Sequence, residues 1–509
     1  MAKNPKILKS KPQNVQRAIG NQLSVFVGPD DLLYILDQLG NVDLLSNYIE
    51  SNPPSGSSLG KLKLSDFNGT VFTDLTTATE YVQQFTTATL TETSFDNGIF
   101  YFSVPENTLF NQAQGFCGKI TNGEQLEFVD VFGYVTFFES SCFEDNAQQN
   151  VFGNILGNFI ANTVSFKDNC FYKSSGNNLF GNNFTFVGDE CFATSTGNNS
   201  LKNTILFEGV NCFNEALGRN SFENDITFNE VAFEAADGFN IFYGGVNFLD
   251  YAFNNYTGNT IFYKSITTVD NFLSGATGTH IFYGQSQFGS GCFNVFVGGT
   301  NIFYGPTNLG PSSFQGCENT VNFFYGITSL DDSCFEFGNS LNYFYKNVTA
   351  STLCFNTNSG YNVFYQTPSA NFFDASCFNA SIGTNIFYGT TTFGNACFND
   401  ATSNNSFYGE LSVGDSFMQN ASPTDKNVFQ NFKTATLDPL NNVTGRFDFT
   451  GKLGTNATAT LPSTIFRTAN LCSIHYPNAL EYNNAGGQDG DLVNILANAT
   501  NVNNKITID

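Results

Sequence analysis

Two pairs of adjacent acidic residues have the residue types that glycoside cleavage requires. Asp189-Glu190 and Asp331-Asp332 each precede a Cys-Phe dipeptide in the sequence. Glycosidases use two carboxyl groups a short distance apart, one as an acid and the other as a base or nucleophile. Acidic residues at such positions are more often solvated turn residues. We therefore predict no catalytic residue and keep polysaccharide cleavage as an alternative.

The two histidines have no partner that would make either of them a catalytic or metal-binding residue. His280 directly precedes Ile-Phe-Tyr, at a position that holds Asn240 and Asn301 in similar stretches, and we interpret it as a polar residue at a turn. No serine or cysteine nucleophile can be placed beside His475. Gly-x-Ser-x-Gly, P-loop and dinucleotide-binding motifs are absent from the sequence. The sequence predicts no cofactor.

Most of the cysteines follow a pattern that indicates packing rather than chemistry. Alanine, serine or asparagine replaces cysteine at the same position in other copies, so the position selects a small side chain. Zinc sites need cysteine or histidine clustered at short spacings, which the sequence lacks. We predict reduced, buried thiols and no metal. Nine of the twelve cysteines directly precede a regularly spaced Phe: Cys142, Cys170, Cys191, Cys212, Cys292, Cys334, Cys354, Cys377 and Cys397.

The cysteines belong to a repeat of about 20 residues. A representative copy runs from Thr384 to Phe398 and reads TNIFYGTTTFGNACF. The first set of phenylalanines is Phe143, Phe171, Phe192, Phe213, Phe233, Phe253, Phe272, Phe293, Phe314, Phe335, Phe355, Phe378, Phe398 and Phe417. A second set lies between them, mostly within Asn-x-x-Phe-Tyr-Gly: Phe222, Phe242, Phe262, Phe282, Phe303, Phe324, Phe344, Phe364, Phe387, Phe407 and Phe429.

This period predicts a mainly β protein built around a parallel β-solenoid of about fourteen turns. Each copy holds two short runs rich in Ile, Val, Phe and Tyr, separated by Gly, Asn, Thr and Ser, which is typical of strands and turns. One copy cannot bury its phenylalanines alone, whereas stacked copies form a continuous core. We expect the solenoid to span 131–432, with both sets of phenylalanines inside. Asparagines could form a ladder in the interior if every amide is paired.

The flanking sequence suggests separate modules. Residues 1–20 are a basic arm, and 21–50 are expected to form two short apolar helices, beginning near Pro29. Residues 51–60 are rich in Ser, Pro and Gly and read as a linker. Residues 61–130 predict a β-rich shoulder or N-terminal cap, and 433–509 a C-terminal cap or tip domain outside the repeat.

The charge and hydropathy of the chain limit the kinds of partner that it can bind. The net charge of −24, with only 20 Lys and Arg residues, argues against nucleic acid, which proteins bind through clustered cations. No apolar run approaches the length of a membrane span, so we expect no membrane insertion. Residues 1–20 contain no continuous apolar segment of the secretory type. Synthesis in a cytoplasm is the corresponding expectation.

The string Phe393-Gly-Asn-Ala-Cys-Phe398 resembles the Ile-Gly-x-x-Ala-Phe core of BspA-type surface-antigen leucine-rich repeats. This resemblance covers about 300 residues and implies a cell-surface adhesin. The family's Leu-x-x-Ile-x-Ile-Pro segment is replaced here by Asn-x-Ile-Phe-Tyr-Gly, so a horseshoe and a straighter β-helix both stay open. The whole layout of attachment module, linker, β-solenoid shaft and distinct tip resembles a phage or virus fibre or tailspike.

The first hypothesis is a non-enzymatic virion structural protein, a fibre, spike or tail component that can also bind a host surface. Residues 1–50 would then contact other virion proteins or sister chains in a homo-oligomer, and the C-terminal region a host glycan or protein. A cellular surface adhesin and a polysaccharide-cleaving tailspike are the alternatives.

Overall fold

We analysed a computed structural model of the chain. It describes residues 164–433 apart from 181–183, 203–204, 230, 250 and 366–368. Outside this range it describes 24–27, 33–36, 42–44, 62–65, 74–84, 87, 89–96, 99–103, 108–110, 125–128, 136–138, 140, 143, 149–152, 440, 443, 445–449, 472–476 and 506–508. The predicted arm at 1–20 and linker at 51–60 lie outside the described residues.

The helices predicted within 21–50 are wrong. The described residues there form a three-stranded antiparallel sheet of β1 (Ser24–Val27), β2 (Leu33–Leu36) and β3 (Val42–Leu44). β-branched and aromatic residues suit strands better than helices, and Phe26 pairs with Tyr34 across β1 and β2. Cross-strand pairing therefore prevails over the helical spacing of the leucines.

The only helix in the described part of the chain is α1 (Leu75–Gln83). Asp74 caps its N-terminus by accepting a hydrogen bond from the Thr77 backbone N–H at 2.8 Å. Three strands surround the helix in sequence: β4 (Leu62–Ser65), β5 (Thr91–Asp96) and β6 (Ile99–Ser103). Strands β4 and β5 each pair antiparallel with β6, and β4 also pairs antiparallel with the solenoid strand β8 (Gln125–Phe128).

The solenoid consists of two parallel sheets, and each turn gives one strand to each sheet. Sheet I contains β8 (Gln125–Phe128), β10 (Gln149–Phe152), β12 (Asn178–Phe180), β14 (Asn199–Leu201), β16 (Arg219–Phe222), β18 (Phe239–Phe242), β20 (Asn259–Phe262), β22 (Thr279–Phe282), β24 (Thr300–Phe303), β26 (Glu318–Phe324), β28 (Asn339–Phe344), β30 (Tyr361–Phe364), β32 (Thr384–Phe387) and the first half of β34 (Asn404–Val413).

Sheet II alternates with it along the chain. It contains β7 (Thr108–Phe110), β9 (Thr136–Phe138), β11 (Val164–Phe166), β13 (Phe184–Phe186), β15 (Ile205–Phe207), β17 (Ile226–Phe228), β19 (Val246–Phe248), β21 (Ile266–Thr268), β23 (Ser286–Phe288), β25 (Thr307–Leu309), β27 (Thr328–Leu330), β29 (Val348–Ala350), β31 (Asn371–Phe373), β33 (Thr391–Phe393) and the second half of β34. Strands one turn apart pair in register, for example Phe303 with Phe324.

The predicted parallel β-solenoid is therefore confirmed, with about twelve turns of regular period. At about 4.8 Å per turn this gives a rod of roughly 58 Å. The 28-residue step from Phe143 to Phe171 already departs from the period, as does the sequence after Phe429. Parallel pairing nevertheless continues on one side through β35 (Lys426–Lys433), β36 (Gly445–Phe449), β37 (Cys472–Tyr476) and β38 (Ile506–Ile508).

Both predicted sets of phenylalanines point inward and stack. The rings of Phe242, Phe262, Phe282 and Phe303 lie 4.8, 5.0 and 4.7 Å apart, centre to centre, at interplanar angles of 5–6°. Sheet II adds a third column that the sequence analysis missed, in which Phe186 stacks on Phe207 at 4.7 Å. Offset stacks of buried rings stabilise a core beyond the area they bury.

Two positions of the first Phe set were assigned one residue too early. Leu273, with φ of 55°, occupies the backbone position of the repeated Phe, and Phe272 lies in the cysteine position. The Leu273 N–H donates to the Ala252 carbonyl, as the Phe253 N–H does to the Ala232 carbonyl. Phe417 likewise lies in the cysteine position. In other turns a residue with positive φ lies two positions before the repeated Phe; here that residue is Ser416, so Phe417 lies one residue before the Phe position.

The Cys-Phe corner has an unusual backbone. Glu190, Phe192 and Thr194 have φ of 58°, 60° and 53°, a left-handed conformation that non-glycine residues rarely adopt. Hydrogen bonds between turns hold it: the Phe192 N–H donates to the Cys170 carbonyl at 3.0 Å, and the Glu190 N–H to the Val210 carbonyl at 2.8 Å. The same pattern recurs in most turns, so stacking compensates a local strain that a single copy could not bear.

The glycine that follows Phe-Tyr is required because a side chain would not fit there, and not because its backbone has a positive φ. Gly305 lies in the corner after Phe303-Tyr304 and is not among the positive-φ residues. A Cβ atom on Gly305 would lie 2.1 Å from the carbonyl oxygen of Gly284, one turn below. Close contact between successive corners therefore selects glycine.

Candidate functional surface

The two acidic pairs are parts of the scaffold. Asp189 Oδ1 accepts a hydrogen bond from the Val210 N–H at 2.9 Å, and Asp332 Oδ1 accepts one from the Thr352 N–H at 3.1 Å. Each carboxylate thus ties its corner to the next turn. The pairs lie seven turns apart, about 34 Å, whereas the two carboxyl groups of a glycosidase lie within about 10 Å. The structure does not bring Asp189-Glu190 and Asp331-Asp332 together.

Asp331 does line a shallow depression of about 400 Å³ near the outside of sheet II. Its other lining residues include Gln287, Asn308 and Ser329. Asp331 Oδ1 accepts the N–H of Asp332 at 2.9 Å, a bond within the corner itself. Among the described residues that line this depression Asp331 is the only carboxylate, so the pair required for glycoside cleavage is not assembled there.

His280 is buried within β22 and does not lie at a turn as expected. Its Nδ1 lies 2.8 Å from Thr260 Oγ1, and its Nε2 lies 3.1 Å from the Thr277 carbonyl oxygen. A carbonyl can only accept, so Nε2 carries the proton and Nδ1 accepts from the threonine hydroxyl. Burial lowers the pKa of His280 from 6.5 to about 3. His475 lies in β37, where the structure describes the backbone alone.

His280 and Thr260 interrupt a ladder of buried asparagines inside sheet I. In each regular step one Asn Nδ2 donates to the Oδ1 of the Asn one turn further on, at 2.7–3.0 Å. The first segment ends where Asn240 Nδ2 donates to the Tyr256 hydroxyl, and the second begins at Asn301. Asn301 Oδ1 is buried and has no hydrogen-bond partner, because His280 takes the place of a donor amide. The interior asparagine ladder is thus present, with one break.

The ladder has two segments. Its members are Asn178, Asn199, Asn220 and Asn240 in the first, and Asn301, Asn322, Asn342, Asn362, Asn385, Asn405 and Asn427 in the second.

The repeat cysteines are free thiols in the interior, as predicted, wherever the structure describes them. They donate to backbone carbonyls, as Cys397 Sγ does to Asp374 O at 3.1 Å. Burial raises the pKa of Cys191 and Cys377 well above the usual value, which keeps these thiols protonated. Within the described residues no group of three or more His, Cys, Asp or Glu side chains could hold a metal ion. Cys142 lies outside the described residues.

A ladder of tyrosines on the outside of sheet I is the most distinctive surface of the molecule. Ring centres on successive turns are 4.5–5.8 Å apart, and interplanar angles are 3–15°. The exposed fraction reaches 46% at Tyr304. We call these nine residues the tyrosine ladder: Tyr243, Tyr263, Tyr283, Tyr304, Tyr325, Tyr345, Tyr365, Tyr388 and Tyr408.

Two further columns on the outer side of sheet I run beside the tyrosine ladder, because side chains on a strand alternate between its two faces. Ile241 and Val363 are buried, and the other members are partly or fully exposed. The column two residues before the tyrosines is mostly aliphatic or aromatic: Ile241, Ile261, Ile281, Ile302, Phe323, Tyr343, Val363, Ile386 and Ser406. The column four residues before them is Phe239, Asn259, Thr279, Thr300, Val321, Leu341, Tyr361, Thr384 and Asn404. We call the three columns together the aromatic face. None of its 27 residues is charged.

The aromatic face presents ring edges and hydroxyl groups rather than ring planes. Each inner tyrosine is covered above and below by its neighbours, as Tyr304 is by Tyr283 at 4.9 Å and Tyr325 at 5.1 Å. Burial and the neighbouring phenols raise the pKa of Tyr345 to about 12, so this hydroxyl stays neutral and can donate a hydrogen bond. The face can therefore pack against apolar groups and bond to acceptors.

This surface was not predicted, although the sequence contains a repeated motif that indicates it. Phe-Tyr-Gly recurs with the period, and an inward Phe fixes an outward Tyr beside it, as strand alternation requires. The Phe was assigned to the core, and the Tyr beside it was given no role.

No protein-family model, no curated protein and no solved structure matches the chain. Each turn contributes two strands, which distinguishes the solenoid observed here from a horseshoe with one strand per turn.

Proposed function

We propose that this chain is a rod-shaped structural protein of a virion appendage, a fibre, spike or tail component without enzymatic activity. The observation that carries the proposal is the continuous stack of paired strands from Phe166 to Phe429, with columns of buried aromatic rings inside it, which makes a stiff spacer. The scaffold role of Asp189 and Asp332 supports a structural function over polysaccharide cleavage. The net charge of −24 suits a particle surface that repels its neighbours.

In this proposal the two ends of the chain make the contacts. Residues 1–50 attach the rod to other virion proteins, and the C-terminal region after residue 433 binds a host-surface glycan or protein. The acidic body supports a partner other than nucleic acid. No helix among the described residues is long and apolar enough to cross a membrane.

The test is whether the protein travels with virus particles. Particles from the culture that produces the chain would be banded in a density gradient and analysed by quantitative mass spectrometry. The proposal expects the chain in the particle fraction at a fixed ratio to the major coat protein. Recovery only from the soluble fraction, with coat protein elsewhere, would refute it.

A truncation separates attachment from folding. We expect a chain lacking residues 1–55 to keep its melting temperature and to be lost from particles. If the truncated chain is still incorporated, the attachment role of residues 1–50 is wrong. If it fails to fold, these residues are a cap of the solenoid.

A cellular surface adhesin is the second candidate, and the aromatic face favours it, since large exposed apolar patches mark interaction sites. Antibody labelling of intact cells of the source organism distinguishes the two. An adhesin would label uninfected cells, whereas a virion protein would label only particles and infected cells.

A further inference from the structure

We infer that the aromatic face is the contact between two copies of this chain, packed face to face along their rods. This inference is independent of the virion proposal, because it concerns self-association in any setting. An interface of this kind is isologous, meaning that the same patch is used on both copies.

The first argument is electrostatic. With a net charge of −24, two copies repel each other over most of their surface. The aromatic face is a strip of nine turns without a single charged side chain. In the turns before the aromatic face, the column that later holds the tyrosines contains Lys202 and Glu223, which form an ion pair at 3.6 Å. The three columns themselves thus bring no charge into the contact, and Arg219, which lies 4.8 Å from the centre of the Phe239 ring, flanks the first turn of the strip.

The second argument concerns the exposed chemistry. A sugar or nucleobase stacks on an open aromatic plane. The planes of the inner tyrosines are covered by the rings of neighbouring turns, as at Tyr304, and only edges and hydroxyls point outward. Ring edges carry partial positive charge and pack well against the faces and side chains of other apolar groups. The exposed pattern therefore fits a protein surface better than a stacked glycan.

The third argument is the repeat itself. Outward groups recur once per turn, at tyrosine spacings of 4.5–5.8 Å over nine turns. A partner with another repeat would lose register after a few turns. A second copy has the same repeat and keeps the same contact at every turn, as the interdigitated interfaces of stacked β-sheets do.

The area is sufficient for a specific contact. Eight steps of about 4.8 Å give a length of about 38 Å, and four residues along a strand give a width of about 13 Å. The flat footprint is about 500 Å² per copy, or about 1,000 Å² for the pair, which reaches the lower limit of specific interfaces.

The experiment compares two matched triple variants of the full chain by sedimentation velocity between about 0.1 and 50 μM, a range that brackets micromolar association. One variant carries Tyr304→Lys, Tyr325→Lys and Tyr345→Lys on the aromatic face. The control carries Asn308→Lys, Ser329→Lys and Thr349→Lys, outward residues of sheet II on the same turns. Both variants change the net charge by the same amount.

We expect the native chain and the control to sediment as a dimer in the upper part of this range, and the aromatic-face variant as a monomer. A native chain that stays monomeric throughout would overturn the inference, as would equal loss of the dimer in both variants. A second variant with serine at the three tyrosine positions covers the case in which lysine prevents folding. We expect it to weaken association at least tenfold, and an unchanged dimer would contradict the proposal.

Discussion

The two sheets of the solenoid share one core and differ on the outside. On the same turn, sheet I exposes Ile302 and Tyr304 while sheet II exposes Asn308. Over turns 239–408 the three outward columns of sheet I are uncharged and largely apolar, with Glu318 at the start of β26 outside them, whereas sheet II shows mostly Thr, Asn, Gln and Ser. Folding needs only the inward residues, so the difference between the outer faces points to a contact that sheet I makes and sheet II does not.

A second contrast lies along sheet I itself. The column that holds the tyrosine ladder contains Lys202 and Glu223 in earlier turns and changes to Tyr243 in the next turn. The inward phenylalanines continue unchanged across this boundary, since Phe222 stacks on Phe242 at 4.6 Å. The fold therefore does not require tyrosine at this column, and its nine consecutive occurrences need another cause.

The largest expected effect is the difference in stability loss between a buried ring and an exposed ring at two adjacent residues. Phe303→Ala removes a fully buried ring from the stack and should reduce the free energy of unfolding by about 3–5 kcal/mol. Tyr304→Ala removes one exposed ring and should cost no more than about 1.5 kcal/mol. Urea denaturation of the two variants checks this. Equal losses would mean that the outer tyrosines stabilise the fold as much as the core does.

The next effect compares the inner columns of the two sheets. Asn342→Ala leaves Asn322 without its acceptor and Asn362 without its donor, and should cost about 2–4 kcal/mol. The matched change in sheet II is Thr328→Val, since Val348 occupies that position one turn later. It removes one bond to the Gly326 carbonyl and should cost about 1 kcal/mol or less. Similar melting shifts for the two variants would contradict a special role for the asparagine ladder.

The break in the ladder should make stability depend on pH. The unfolded chain binds a proton on His280 near pH 6.5, whereas in the folded chain the pKa is about 3. The contribution of neutral His280 to the free energy of unfolding is therefore complete above pH 6.5. It falls by about 1.4 kcal/mol per pH unit as the pH decreases toward 3.

His280→Asn, which restores the residue type of the ladder, supplies the comparison. Between pH 7 and 5 the variant should lose about 2 kcal/mol less stability than the native chain. Identical pH profiles in urea denaturation would show that His280 is not buried as a neutral group.

The smallest effect concerns the cysteine position. Cys354→Ala should change the free energy of unfolding by about 1 kcal/mol or less, because Ala232 and Ala252 fill the same position in other turns. In the native chain, thiol labelling should be slow and become fast on unfolding. Rapid labelling of the folded protein, or a disulfide between Cys377 and Cys397, would refute the interpretation of these residues as small buried side chains.

Much of the solenoid could be predicted because its period and its core residues coincide. Phe242, Phe262 and Phe282 recur 20 residues apart and stack in the structure. The third column was harder to find, since Phe248 is followed one turn later by Thr268. The corner at Leu273 was misplaced because the adjacent Phe272 matches the repeated residue type.

The outer face and the N-terminal sheet were missed for different reasons. Tyr304 follows the inward Phe303, so strand alternation alone places it on the outside, and its position could have been predicted. The strand at Leu33–Leu36 carries leucines at helical spacing, and its pairing with β1 is a contact that no local pattern records.

In our proposal a second copy covers the aromatic face of sheet I, while sheet II faces solvent. Electron cryomicroscopy of the purified full chain tests it most directly. We predict paired rods in which the tyrosine ladders of two copies meet, with Asn308 and Ser329 on the outside. Single rods with Tyr304 in solvent, or pairs joined through sheet II, would contradict the account.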